Sequence, residues 1–253
     1  MTTINVPSSH QRADYERFDK LVNQGMPAAN RFIIQPQTLI VEAELKNDRS
    51  QYILSLYENK GADRPLENRL NRNDLFMCTG FRLGVAKQDA NANPKEYANY
   101  PTFTYPEYNY FVGNNTNIAT ANTEGRSLQV LWNGLLSLRT NNVDRIKDFS
   151  TTNLLFRPES AYSETSSIPE FPQQGVANAD QGYFYLQPQP ILDGQQDNDI
   201  IITLGDGDYD RIAGGFDADG TTANDETNVL KFFIRGWVAV NAAQNQGKWL
   251  DYL

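Results

Sequence analysis

The chain has 253 residues, a net charge of −9 and a sequence pI of about 4.7. Direct nucleic-acid binding needs clustered Lys and Arg, and none occurs: Arg64, Arg69 and Arg72 alternate with Asp63, Glu67 and Asp74. No apolar run is long enough to cross a membrane as a helix, and the single cysteine, Cys78, rules out an internal disulfide.

This length suits one large β domain or two small ones. The mean hydropathy is −0.58, yet 40% of residues are hydrophobic, with 13 Tyr and 13 Phe, enough for a core that favours strands. The first residues carry no apolar core of a signal peptide, so a protein made and kept in a cytosol, or assembled there, is expected.

In chain order, the segment from Ser8 to Gly25 reads as the clearest helix. Ser8 and Gln11 fit a capping box, and Gly25 fits a C-terminal stop. Tyr15, Phe18 and Val22 share one face with Leu21 beside them, and Arg12, Asp14, Glu16, Arg17, Asp19 and Lys20 form the other. The helix either packs on its own domain or forms an arm that docks on a neighbouring subunit; residues 1–30 are taken as that arm and 31–253 as the main domain.

From Phe32 the period becomes that of strands. The run from Phe32 to Leu45 is a strand in which Pro36 permits only an edge, bend or bulge. Residues 51–58 alternate, with Tyr52, Leu54 and Leu56 on one parity. Leu75–Lys87 is a long strand with Gly80 and Gly84 as bulge candidates, and Cys78 within it reads as a buried, inert thiol. Pro101–Gly113 reads as an aromatic strand broken at Pro106. Ser127–Asn142 favours strands with a tight turn at Asn133-Gly134, and Val130, Trp132, Leu136 and Leu138 share a parity there. Residues 158–181 are rich in Ser, Pro and Gln and predict a long connector.

The last third predicts two long buried strand regions, Tyr183–Ile191 followed by Asp199–Gly205, and Val229–Val240. The latter is the most apolar run and the expected core strand, with Phe232, Ile234, Trp237 or their alternate-parity neighbours facing inward. In all, about eight to ten strands with almost no helix after residue 25 predict an all-β sandwich or jelly roll. Two rolls would need about sixteen strands, so a single jelly roll is favoured over a double one.

No catalytic device emerges. The only histidine, His10, lies near the N-terminus, away from Cys78, which argues against a His-based nucleophile system and against a zinc site. Paired carboxylates for a glycoside hydrolase leave no distinctive signature among 31 acidic residues. The most specific pattern is the acidic loop after Gly205. Asp206, Asp208 and Asp210 fall at positions 1, 3 and 5 of a calcium loop and Asp217 at position 12, but Arg211 replaces the turn glycine. The loop is read either as solvated acidic surface or as a calcium site built from these four residues.

The segments LQVLWNGLLSLRTNNVDRIKDF, YLQPQPILDGQQDNDIIITLGDG and VLKFFIRGWVAV resemble in pattern the jelly-roll capsid proteins of small icosahedral bacterial viruses. The resemblance spans roughly residues 127–240 and carries no invariant motif. It implies a structural virion protein without an active site, which self-associates as a trimer or larger and contacts other virion proteins. The alternative is a ligand-binding β-sandwich, such as a carbohydrate-binding module, with Thr104–Phe111 as its aromatic platform.

Overall fold

The computed structural model describes residues 9–57, 67–89, 101–106, 111, 127–157, 182–207, 212–214 and 226–243. Among the described residues, helix α1 (Ser9–Asn23) precedes nine strands in two antiparallel sheets. The strands are β1 (Ile34–Glu44), β2 (Gln51–Ser55), β3 (Leu75–Asp89), β4 (Leu135–Thr140), β5 (Val143–Ser150), β6 (Phe184–Tyr185), β7 (Ile191–Asp193), β8 (Asn198–Thr203) and β9 (Glu226–Ala239). One sheet runs β1-β9-β3-β6, with β7 also on β3; the other runs β2-β8-β4-β5. The chain therefore changes sheet at every connection except β4–β5 and β6–β7. The result is an all-β sandwich.

The core lies between the sheets. Leu39 and Val41 of β1, Tyr52 and Leu54 of β2, Leu136 and Leu138 of β4, and Ile200 and Ile202 of β8 all point into it. So do Leu230, Phe232, Ile234 and Val238 of β9. β3 turns in Phe76 and Cys78, then Phe81, Leu83 and Val85. That change of parity has a local cause: the ladder to β9 slips between Cys78 and Gly80, one extra residue that flips the face. Gly80 thus marks a bulge, whereas the register runs unbroken through Gly84. Burial pushes the Cys78 thiol pKa up, which keeps it protonated and inert.

β9 is the central strand of its sheet, paired along its length with β1 and β3. β1 takes the edge position that Pro36 requires. The β4–β5 hairpin turns at Asn141 and Asn142, both with positive φ (47° and 65°), a backbone that favours Asn. Two short pieces close a gap between the sheets. Asn68 exchanges backbone hydrogen bonds with Ile40, and the Leu70 N–H donates to the Leu56 carbonyl.

Several expected elements differ. Tyr183–Ile191 is not one strand: the prolines at 188 and 190 break it into β6 and β7. These two, followed by an isolated bridge from Phe103 to Val85, together line the outer edge of β3. Pro101–Gly113 supplies only that bridge among its described residues. Residues 129–131 form a 3-10 turn instead of a strand, because Asn133-Gly134 ends the run before pairing begins at Leu135. Trp237 does not face inward with Phe232 and Ile234. It has the opposite parity and lies on the outer face, beneath α1. The predicted connector at 158–181 lies outside the described residues.

The helix packs on a sheet of its own chain. Phe18 and Val22 are fully buried against Leu75, Met77, Ala239, Ala242 and Ala243, with Ile34 and Trp237 at the margin. The physical reason is that this end of the outer sheet face is itself apolar, so it offers the helix a seat within reach of a short linker. Asp14, expected on the solvated side, is buried, whereas Tyr15 sits at the rim and meets Trp237 edge-on at 5.2 Å. Asn23 closes the linker by pairing with the Phe32 backbone: the Phe32 N–H donates to Asn23 Oδ1 (2.7 Å) and Asn23 Nδ2 donates to the Phe32 carbonyl (3.2 Å).

Candidate functional site

The outer face of the β1-β9-β3-β6 sheet gathers most of the unusual chemistry. It divides into three zones, set by which outward parity positions are charged or apolar.

At one end lies the helix seat. Its polar latch is Asp14, whose Oδ1 accepts from the Tyr185 hydroxyl and from Gln189 Nε2, each at 2.7 Å. Gln189 Nε2 also donates to the Tyr185 oxygen at 2.6 Å. Burial first, then the hydrogen bond and charge of Asp14, push the Tyr185 pKa up to about 12, against a smaller pull from Arg17. A raised pKa means that this stabilisation is complete below the ordinary tyrosine value and is lost as pH climbs through the folded one. Ionisation would set a phenolate beside a carboxylate. Between pH 10 and 12 the helix should therefore release first, and Tyr185→Phe should flatten this alkaline limb of the unfolding midpoint measured against pH. An unchanged limb in Tyr185→Phe would assign it to other groups.

At the other end, Lys231 and Glu42 are direct cross-strand partners on β9 and β1, with Nζ 3.1 Å from Oε1. Both side chains are almost wholly buried, and the contact is an ion pair without an aligned hydrogen bond. Glu67, which also accepts from the Glu42 N–H (3.1 Å), binds Arg69 through both carboxylate oxygens (3.1 and 2.9 Å). Removing one partner of such a buried pair strands the other charge.

Between them lies a cationic and aromatic cluster that sequence reasoning missed. Tyr183 lies beside Gly80, its Cβ 3.6 Å from where a Cβ on that glycine would stand, and the Phe184 carbonyl oxygen would be the tighter neighbour at 3.0 Å. Thr38 and Arg82 are near enough to its hydroxyl to favour its charged form. Burial pushes the Tyr183 pKa up, outweighing the pull of Arg82, Thr38 and Arg235. Arg82 Cζ stands 5.9 Å from the Tyr183 ring centroid and 5.1 Å from that of Phe233; Arg235 Cζ is 5.8 Å from Tyr183. The available signal was parity: Arg82 and Arg235 interrupt apolar strands at positions that point away from the core.

The predicted calcium residues are mostly out of view. Asp206 is exposed at the end of the described β8 segment, and Asp208, Asp210 and Asp217 lie outside the described residues. Among the described residues no group of three His, Cys, Asp or Glu side chains comes together. The aromatic platform at 104–111 is not an open one where it is described. Tyr105 and Phe111 are buried, packing edge-on against Phe103 at 6.0 and 5.7 Å. Tyr108 and Tyr110 lie outside the described residues. Among the described residues no helix is long and apolar enough to cross a membrane. Comparison with protein families, with curated proteins and with solved structures gives no match.

Proposed function

We propose that the chain is a single jelly roll and serves as a structural subunit of a virus shell, self-associating as a trimer or larger and meeting other virion proteins. The observation that carries the fold is the pairing order. With β6 and β7 counted as one interrupted strand, the first strand pairs with the last, the second with the next to last, the third with the interrupted one, and β4 with β5. That is one long hairpin. Winding it on itself brings β9 onto β3 and β8 onto β4, and both contacts are present. Two Greek keys in eight strands are the signature of this architecture, which viral coats share with lectins and cupins.

Fold alone does not choose among these. A metal-centred function has little to work with in a chain whose single histidine is His10. A glycan-stacking function loses Tyr105 and Phe111, which are buried in the core. A contact function gains from the outer face of the four-stranded sheet. There Ile53 is 63% exposed and Leu135 is 44% exposed, on the strands that flank Ile201 of β8. Outward apolar residues grouped on one sheet face suit burial against a partner.

Size-exclusion chromatography with light scattering is the test. A trimer or larger is expected, and Ile53→Asp with Leu135→Asp should shift the mass downward while far-ultraviolet dichroism stays unchanged. A monomeric wild type that binds a glycan would replace this reading with the carbohydrate-binding one.

A further inference from the structure

We propose that Glu42 of β1 and Lys231 of β9 join covalently, through a side-chain amide that the folded protein makes without any other reactant. The two residues are direct partners in the antiparallel ladder, and Nζ stands 3.1 Å from Oε1. The Lys231 side chain is 6% exposed and that of Glu42 3%. Glu42 Oε1 is buried and has no hydrogen-bond partner, and among the described residues Nζ donates no hydrogen bond. An ion pair this deep repays its desolvation only when further hydrogen bonds complete it. Here they are missing, so two charges are a costly state for these side chains. A neutral amide carries neither charge.

The second observation is the dry setting. Val229, at the next position of β9 with the same outward parity, is buried, and so is Ala86, its partner on β3. The partner of Lys231 on β3 is Gly84. Gly84 has no side chain, and the Thr102 methyl lies 2.7 Å from where a Cβ would stand, so Thr102 fills that place over the sheet. On the β1 side, Glu67 accepts from the Glu42 N–H at 3.1 Å and is held by Arg69 through both carboxylate oxygens. Arg69 thus engages the neighbouring carboxylate, and Lys231 faces Glu42. Exclusion of water opposes hydrolysis of an amide, and fixed contact supplies the proximity that two free side chains lack.

The step needs neither oxidant nor reductant. The Lys231 ammonium passes a proton to the Glu42 carboxylate, which leaves a neutral amine facing a carboxylic acid. The Nζ lone pair attacks Cδ, and the C–N bond forms. The bond from Cδ to the hydroxyl oxygen breaks with its electron pair staying on oxygen, and that oxygen takes one proton from Nζ. One water leaves, and one N–H remains on the amide. The link fastens β1 to β9, the first and last of the described strands, and closes a loop that contains every other described strand. Such a closure restricts the unfolded chain as a disulfide does, in a chain whose single cysteine forms none internally.

Intact mass spectrometry of the full chain, held folded for days and unfolded just before injection, is the test. A species one water lighter than the sequence is expected. A tryptic digest should join the peptide carrying Glu42 to a peptide left uncut after Lys231. Lys231→Arg keeps the positive charge but removes the nucleophile, since a guanidinium holds its proton. It should therefore stay at its sequence mass. Glu42→Met combined with Lys231→Met replaces the pair by apolar side chains, should do the same, and serves as the control if Lys231→Arg does not fold. A wild-type chain at its full sequence mass, cut by trypsin after Lys231, overturns the proposal. So does a loss of one water that persists in either folded variant, because it then lies at another site.

Discussion

Trp132→Ala is expected to cost about 3–5 kcal/mol of stability, a fall in the unfolding midpoint of roughly 10 °C. Trp132 is fully buried and is the largest side chain in the core that is so. It sits just after the 3-10 turn that leads into β4, and its carbonyl accepts from the Thr152 hydroxyl at 2.7 Å. The core around it draws on both sheets, so the indole fills space that no single strand can close. Truncation leaves a cavity walled by residues held in two ladders, which limits collapse. Trp237→Ala should cost clearly less and should loosen α1 rather than the sandwich, because Trp237 lies outside the sheet and is only half-buried. Chemical denaturation of both variants, with proteolysis of the linker after α1 as a second readout, separates the two roles. Equal losses would show that the helix seat and the core are one cooperative unit.

Gly236→Ala is expected to be nearly as damaging, about 3 kcal/mol or more, although it adds a single methyl. Gly236 is an inward position of β9, between Gln37 of β1 and Cys78 of β3. A Cβ there would stand 2.0 Å from the Met77 carbonyl oxygen and 2.7 Å from the Phe76 ring. The carbonyl belongs to the backbone just before the β3 bulge, so it cannot swing away like a side chain. The ring could move only by opening the core. Gly25→Ala is the informative comparison: nothing lies within 4 Å, and its cost of about 1 kcal/mol should come from the positive φ of 76° alone. A Gly236→Ala protein that melted like wild type would mean that the ladder at the bulge can shift.

The strand pattern was readable because burial on one face writes a period of two into the chain. Tyr52, Leu54 and Leu56 declared their side of β2 in this way, and Phe232 and Ile234 theirs in β9. α1 was readable for the same reason at a longer period, and Pro36 announced an edge. Parity failed where a local event shifted it. The β3 bulge moved the inward set from Phe76 and Cys78 to Phe81, Leu83 and Val85, and nothing in LFMCTGFRLGV says which glycine bulges. Trp237 was assigned to the core on its hydrophobicity, yet a sheet covered by a helix on its outer face is apolar on both sides. Asp14 looked like one more charge on a solvated helix face until Tyr185 and Gln189, some 170 residues later, proved to cover it.

Composition and local patterning by themselves determined an all-β chain with one N-terminal helix, a buried thiol at Cys78 and a core strand at Val229–Val240, because each follows from propensity and solvent exclusion within a few residues. Only the tertiary structure decided which strands meet. Pairing depends on closing long loops, and no local signal encodes that β1 lies beside β9 or that β6 and β7 share an edge of β3. The Arg82, Arg235 and Tyr183 cluster belongs to this second kind. Its members come from three separate stretches, and they share a surface only because β3 pairs with β9 on one side and β6 on the other.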